Sequence, residues 1–250
     1  MLSPKERFTN RVEDYRKYRP GYPSQVISFL TEKCSLSSSS TIADIGSGTG
    51  IFTKQLLEEG FTVKSVEPNE SMRKQAENDL GGFGTFESIN GSAEDTTLEP
   101  GTIDLITCCQ SFHWFDHDTC KVEFQRITRG HGWVALIWNE RLSDTPFMME
   151  FNSLLKDEFL EFANRRIINE DLISSFFAPN PYQVMKCPNE QILDLRGVKG
   201  RLSSSSYAPQ EGEEGHAEAF ERLERLFEKH NKNGLVDFNY LTAVYLGRIT

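Results

Sequence analysis

No stretch of the 250-residue chain reaches the roughly 18 to 20 consecutive apolar residues that a membrane-spanning helix needs. The opening residues, Met1-Leu2-Ser3-Pro4-Lys5-Glu6-Arg7, carry no apolar core of the kind a secretory signal uses. No C-x-x-C pair occurs among the five cysteines, Cys34, Cys108, Cys109, Cys120 and Cys187. Their odd number and the apolar setting of Cys108-Cys109 suggest free thiols in a reducing, cytoplasmic compartment, and no metal site is read from them. Positive charge is also in short supply. Lys and Arg total 27 against 37 Asp and Glu, a formal net charge of −10. Arg165-Arg166 is the one basic cluster, and it reads as a solvated helix face, so neither a nucleic acid nor a membrane is an expected partner. Internal repeats are missing as well.

What is present is an alternation of strand and helix patterns, which favours a parallel sheet covered on both faces. Strands are expected near 41–45, 62–67, 84–89, 103–109 and 132–138. Helices are expected near 24–33, 50–59, 70–80, 117–128 and 146–163. Ser35 to Ser40 reads as a loop within the domain. Beyond Asn139 the rhythm changes. Phe147 to Phe162 has a helical pattern rich in Phe, Leu and Met, and Asp171 to Phe177 is a shorter apolar piece. Glu190 to Leu195 reads as a strand leading to a helix near 196–205, and Phe220 to His230 as an amphipathic helix. Val236 to Leu246 reads as a terminal strand.

The run Ile42-Ala43-Asp44-Ile45-Gly46-Ser47-Gly48-Thr49-Gly50 takes an apolar strand with an acid near its end straight into a turn with glycine at every second position. Such a turn brings backbone close to a ligand, because no Cβ intervenes. A second short strand, Val63-Lys64-Ser65-Val66-Glu67, ends in an acid about 20 residues on, the spacing at which open α/β sheets grip ribose hydroxyls. Charge-assisted bonds of that kind are worth roughly 1.5–3 kcal/mol each. Glu67 also precedes a helix, so a capping role is the alternative. A dinucleotide fingerprint needs its third glycine at position 51, where the chain has Ile51. A pyrophosphate would sit badly beside Asp44. A ligand with an ammonium and a sulfonium group would sit well there.

The motif Asp44-x-Gly46-x-Gly48-x-Gly50 resembles the first motif of the class I S-adenosylmethionine (SAM) dependent methyltransferases. Three further stretches resemble the trans-aconitate methyltransferase-like (methyltransferase type 11) branch. They are Asp14-Tyr15-Arg16-Lys17-Tyr18-Arg19-Pro20-Gly21-Tyr22-Pro23, Ser111-Phe112-His113-Trp114-Phe115 and Ser206-Tyr207-Ala208-Pro209. The resemblance implies a Rossmann-like, doubly wound, mostly parallel seven-stranded sheet with an antiparallel C-terminal strand and a mostly helical lid insertion. It implies a single domain over 1–250. Residues 1–35 cover cofactor and substrate, 40–139 form the SAM-binding core, 140–205 the lid and substrate wall, and 206–250 complete the sheet.

By the same resemblance, SAM is the cofactor and a small molecule the methyl acceptor. Asp44, Gly46, Ser47, Gly48 and Gly50 form the cofactor turn, Glu67 takes the ribose, and Pro68, Asn69 and Met72 cover the adenine. Ser92, Ala93 and Glu94 follow the third strand, where the Ser92 hydroxyl and the Ala93 N–H are placed to serve the adenine; capping of the next turn is the alternative for Glu94 and Asp95. Many relatives carry an acid at the position of Ser92, so this chain departs there. Gln110 lies near the methionine moiety, and Tyr15, Arg19 or Tyr22 folds over the cofactor, one of them meeting its carboxylate; an N-terminal helix packed on the sheet, with Arg19 in a surface ion pair, is the alternative. Tyr22, His113, Trp114 and Arg141 are the expected substrate residues. His113 is the candidate general base, its ordinary pKa being suited to neutral pH. For a carboxylate acceptor, Arg141, Arg201 or Arg19 would supply a clamp. The competing readings are a non-catalytic SAM-binding regulatory module and a nucleotide-dependent oxidoreductase.

Overall fold

The computed structural model describes residues 9–159 and 169–249. In chain order the strands are β1 (Thr41–Ile45), β2 (Thr62–Val66), β3 (Phe86–Ile89), β4 (Ile103–Cys109), β5 (Thr128–Arg141), β6 (Tyr182–Leu193) and β7 (Val236–Arg248). The helices are α1 (Val12–Tyr18), α2 (Ser24–Cys34), α3 (Ile51–Glu58), α4 (Glu70–Leu80), α5 (His117–Ile127), α6 (Pro146–Glu158), α7 (Glu170–Phe177), α8 (Leu195–Ser203) and α9 (His216–His230). The strands form one sheet in the order β3-β2-β1-β4-β5-β7-β6. Pairings from β3 through to β5 are parallel, whereas β7 runs antiparallel to both β5 and β6. The expected seven-stranded sheet with an antiparallel C-terminal strand is therefore the observed one. The direction of strand succession reverses between β1 and β4, and that is where open α/β sheets hold their ligands.

Alternation along the strands builds two cores. Ile42, Val63, Leu105, Ile137 and Val244 face α2, α3 and α4 through Leu30, Phe52, Leu56 and Leu80. Ala43, Ile45, Ile106, Leu136 and Tyr245 face α5 and α7 through Phe124, Phe176 and Phe177. A third core lies away from the switch point. Phe147 and Phe151 of α6 pack with Val198 of α8, Leu223 and Phe227 of α9 and Phe238 of β7. The Phe-rich helix thus spends its rings on packing. Its expected continuation to residue 163, with Phe162 and the Arg165-Arg166 pair, falls outside the described residues.

Some boundaries depart from the sequence pattern. β6 begins at Tyr182, eight residues before the expected strand, and runs through Pro188. Proline cannot donate to a ladder, so it reads against a strand, but an outermost strand such as β6 tolerates it. The 140–205 region accordingly holds the sheet's edge strand as well as helices. β5 extends on both sides of the expected 132–138, pairing with β7 from Trp133 opposite Arg248 to Arg141 opposite Tyr240.

Candidate functional site

The glycine turn leaves β1 and crosses the end of β2, where the Gly46 and Ser47 N–H groups donate to the Val66 carbonyl at 2.9 and 3.2 Å. Three glycines adopt the left-handed conformation, with φ of +66° at Gly46, +60° at Gly48 and +80° at Gly50, and each answers a different need. A Cβ on Gly46 would come within 2.6 Å of the Ser111 Cβ. A Cβ on Gly48 would meet only ordinary contacts, with Met72 and Tyr15 at 3.7 Å. On Gly50 it would come within 2.6 Å of Leu80. Gly50 therefore serves the packing of α3 on α4 and lines neither of the cavities described below.

A cavity of about 220 Å³ opens at the switch point, lined among others by Tyr15, Gly46, Gly48, Glu67, Pro68, Asn69, Met72, Ser92, Ala93, Gln110 and Trp114. These come from α1 and from the loops after β1, β2, β3 and β4, as the sheet rule requires. Glu67 is 7% exposed. Its Oε2 accepts from the Gly48 N–H and its Oε1 from the Asn69 N–H, each at 2.8 Å. A carboxylate offers about four acceptor positions, so half remain for a ligand. Burial raises the Glu67 pKa despite those two amides. The Asn69 side chain caps α4 by accepting from the Met72 N–H at 3.0 Å.

A smaller cavity of about 20 Å³ adjoins, sharing Tyr15, Cys109 and Gln110 and adding Arg19, Tyr22, Asp44, Ser47, Asn139 and Arg201. Asp44 is 1% exposed and accepts from the hydroxyls of Thr53 at 2.7 Å and Thr107 at 2.9 Å. Burial outweighs those bonds and lifts its carboxyl from 3.8 to about 6. Ser47 accepts from the Ser65 hydroxyl at 2.7 Å. Tyr22 packs edge-on against Phe52, the rings 5.1 Å apart. Gln110 holds a φ of +56°, costly for a residue with a side chain. Its Nε2 donates to the Asn139 carbonyl at 3.2 Å, which fixes it at the junction of the two cavities.

Arg19 donates from Nη2 to the Ser204 carbonyl at 2.8 Å and lies over the Tyr15 ring at 4.9 Å from its centre, while its Nε is buried without a partner. Burial, reinforced by Arg201, lowers its pKa to about 10, so it stays charged at neutral pH. Arg201 is 4% exposed and donates from Nε to the Tyr240 hydroxyl at 3.0 Å.

Other expected site residues lie elsewhere. His113 sits in a short 3-10 turn, Phe112–Trp114, its ring 4.8 Å from that of Trp114, and lines neither cavity. The Glu94 carboxylate accepts from the Asp116 N–H at 3.0 Å and faces a separate cleft with His117 and Lys121. Arg141 donates to Asn152 and to the Tyr207 hydroxyl, both at 3.2 Å, and also lines neither cavity. Conversely, Cys109, Ser111, Phe115 and Asn139 line a cavity and were not expected to. Their signal was position alone, at or just past the ends of β4 and β5.

The fold recurs among known proteins. Residues 43–136 match the family described as "Methyltransferase domain". An uncharacterized methyltransferase of Schizosaccharomyces pombe is 28% identical over 254 residues, spanning 95% of each chain. A structure from Anaeromyxobacter dehalogenans, described as a type II methyltransferase, superposes with a TM-score of 0.66 at 22% identity, covering 93% of this chain and 98% of that one. A Haemonchus contortus N-methyltransferase, solved with phosphomonomethylethanolamine and S-adenosylhomocysteine, gives a TM-score of 0.59 at 13% identity over 100% of this chain and 60% of that one. At such identities the two structures speak for the fold. The matches bear out the class read from the glycine motif and do not single out the trans-aconitate branch.

Proposed function

From the premise that residues 43–136 form a methyltransferase domain of the SAM-dependent class, we propose that the chain methylates a small molecule at a carboxylate or hydroxyl oxygen. The observation that carries the cofactor assignment is the Glu67 carboxylate, buried beside the 220 Å³ cavity with two acceptor positions left and oriented by the Gly48 and Asn69 amides. It suits two ribose hydroxyls. The open space over Gly48 suits a ligand lying against backbone, as no Cβ fills it.

Pro68, Met72 and Ala93 offer apolar cover for a purine. Asp44 and Arg19 line the adjoining cavity and offer opposite charges for an ammonium and a carboxylate. When bound, SAM supplies an electrophilic methyl group, transferred in line with the breaking carbon–sulfur bond. The chain's own contribution is to hold the acceptor oxygen on that line and exclude water, for which positioning is worth roughly 7–11 kcal/mol. A carboxylate acceptor needs no base, in keeping with the position of His113 away from both cavities. A small-molecule acceptor accords with the Haemonchus contortus neighbour, whose complex contains phosphomonomethylethanolamine.

The test is calorimetric titration with SAM, S-adenosylhomocysteine and NAD on the wild type and on Glu67→Ala. Binding of the first two, lost or weakened at least about tenfold in the variant, is the expected result. NAD binding, or unchanged affinity without Glu67, contradicts it.

A further inference from the structure

A carboxylate that is to accept two ribose hydroxyls must be ionised, because a protonated oxygen donates where an acceptor is needed. Burial works against ionisation at Glu67, and so does the charge of Asp44 on β1. The Asn69 and Gly48 amides and the Arg73 guanidinium work for it. A further titratable neighbour is Tyr15 of α1, whose phenol is pushed up by burial and, in addition, by Glu67 itself.

Arg73 stands near the start of α4 and lines neither cavity. Its side chain is mostly buried, at 16% exposed. From one nitrogen, Nη1, it donates to the Glu67 carbonyl at 2.9 Å and to the Asn90 Oδ1 at 3.1 Å. The first bond fixes the residue that carries the ribose carboxylate. The second reaches the loop after β3, where Asn90 runs directly into Gly91-Ser92-Ala93, and Ser92 and Ala93 line the larger cavity. The Glu67 N–H donates to the Ile89 carbonyl at 3.1 Å, so backbone and side chain join the ends of β2 and β3 at the same place. On α4 itself, Glu77 lies 3.9 Å from the Arg73 Nε, and its Oε1 also accepts from the Ser88 hydroxyl at 2.6 Å. A long, half-exposed ion pair holds a guanidinium weakly, so the two shorter bonds set where Arg73 lies.

We propose that Arg73 is a positioning residue for the cofactor: it ties the ribose-binding end of β2 to the purine-facing loop after β3, and its charge holds Glu67 in the ionised, accepting form. This deepens the SAM-dependent reading and rests on the ribose role of Glu67. Arginine suits both tasks, since it stays charged when mostly buried and presents several donors from one rigid group.

Adenosine and 2′-deoxyadenosine are titrated calorimetrically between about pH 5 and about pH 8, a range that brackets a raised carboxylate. Neither ligand carries an ammonium for Asp44, and the titration of Asp44 itself is common to wild type and variant. The wild type should prefer adenosine, and the preference should fade as pH falls through the Glu67 midpoint. In Arg73→Gln the preference should be at least about threefold smaller at neutral pH. Its midpoint should lie at higher pH, because removing the cation favours the neutral form of Glu67. Arg73→Lys keeps the charge on a shorter stem without the fork, so it should keep the wild-type midpoint and still bind adenosine more weakly. If Arg73→Gln does not fold, Arg73→Lys decides: a midpoint moved upward, or undiminished adenosine affinity, overturns the proposal. A scaffolding role alone would weaken both nucleosides equally and leave the midpoint of Arg73→Gln in place, and that result overturns it too. A wild type that does not distinguish the two nucleosides is a separate failure, seen before any variant is made, and it overturns the ribose assignment of Glu67.

Discussion

At Gly48, Glu67 and Asp44 the chemistry of single residues is open to test. Gly48 has a φ of +60° and room for a Cβ, so Gly48→Ala should lose about 1–2 kcal/mol of stability from backbone strain. The added methyl would nonetheless occupy the cradle, and S-adenosylhomocysteine affinity should fall much further than stability. Gly46→Ala should be the worse fold mutant, because its Cβ meets Ser111 at 2.6 Å. Asp44 predicts a pH dependence. Its carboxyl titrates near 6 in the fold against an ordinary 3.8. A raised value means that its stabilising contribution is complete below about pH 4 and lost as pH rises through about 6. The loss is on the order of 3 kcal/mol, and denaturant melts of ligand-free Asp44→Asn should lack it. A ligand ammonium reverses the preference, so S-adenosylhomocysteine affinity should fall about tenfold per unit below pH 6, with proton uptake on release. Affinity that stays flat from pH 5 to 7.5 would separate Asp44 from the ligand. The sequence made Glu67, Asp44 and Gly48 legible because motif spacing fixes which residues stand at the end of a strand. Where the side chains of His113 and Glu94 lie was not legible, because side-chain direction in the loops after β4 and β3 depends on contacts that no local pattern encodes.

Among the elements, α1 is the one whose position matters most and whose sequence foretells least. It has seven residues and buries none of them, so propensity alone would not hold it. Tertiary contacts do. A Cβ on Gly200 would come within 2.1 Å of the Tyr18 ring, which shows how closely α1 lies on α8. Arg11, just before α1, donates to the carbonyls of Ser203, Ser205 and Ala208 at 2.9, 2.8 and 2.5 Å. Arg11→Ala should cost about 2–3 kcal/mol in denaturant melts, because it strands buried carbonyls. It should also weaken cofactor binding by releasing Tyr15 and Arg19. Helix α6 was legible as amphipathic, but whether its rings lined a pocket or a core was a question of partners. Phe151, 1% exposed and edge-on to Phe238 at 4.9 Å, answers for the core. Phe151→Ala should cost about 3–5 kcal/mol. β6 was only partly read, since Pro188 argues against a strand unless its place at the sheet edge is known.

For the molecule as a whole, a net charge of −10 surrounds a small cavity whose lining includes Arg19 and Arg201 beside Asp44. Anionic ligands therefore bind against the global charge, through local geometry, and moderate salt should affect their affinity less than it affects a surface contact. The sheet order places Asp44, Glu67, Ser92 and Gln110, from four different strand ends, around one switch point. That convergence was legible in the sequence, because the order of strands and acids in a doubly wound fold is stereotyped. Saturation at about 100 times Kd should add roughly 2.7 kcal/mol of stability, or about 5–10 °C in Tm for a chain of this size, and Glu67→Ala should abolish that shift. The decisive experiment is a crystal structure of the S-adenosylhomocysteine complex. Both ribose hydroxyls should lie within hydrogen-bonding distance of the Glu67 carboxylate, with the ammonium beside Asp44 and the carboxylate on Arg19. A ligand seated in another cleft, or a ribose that leaves Glu67 untouched, would overturn the assignment.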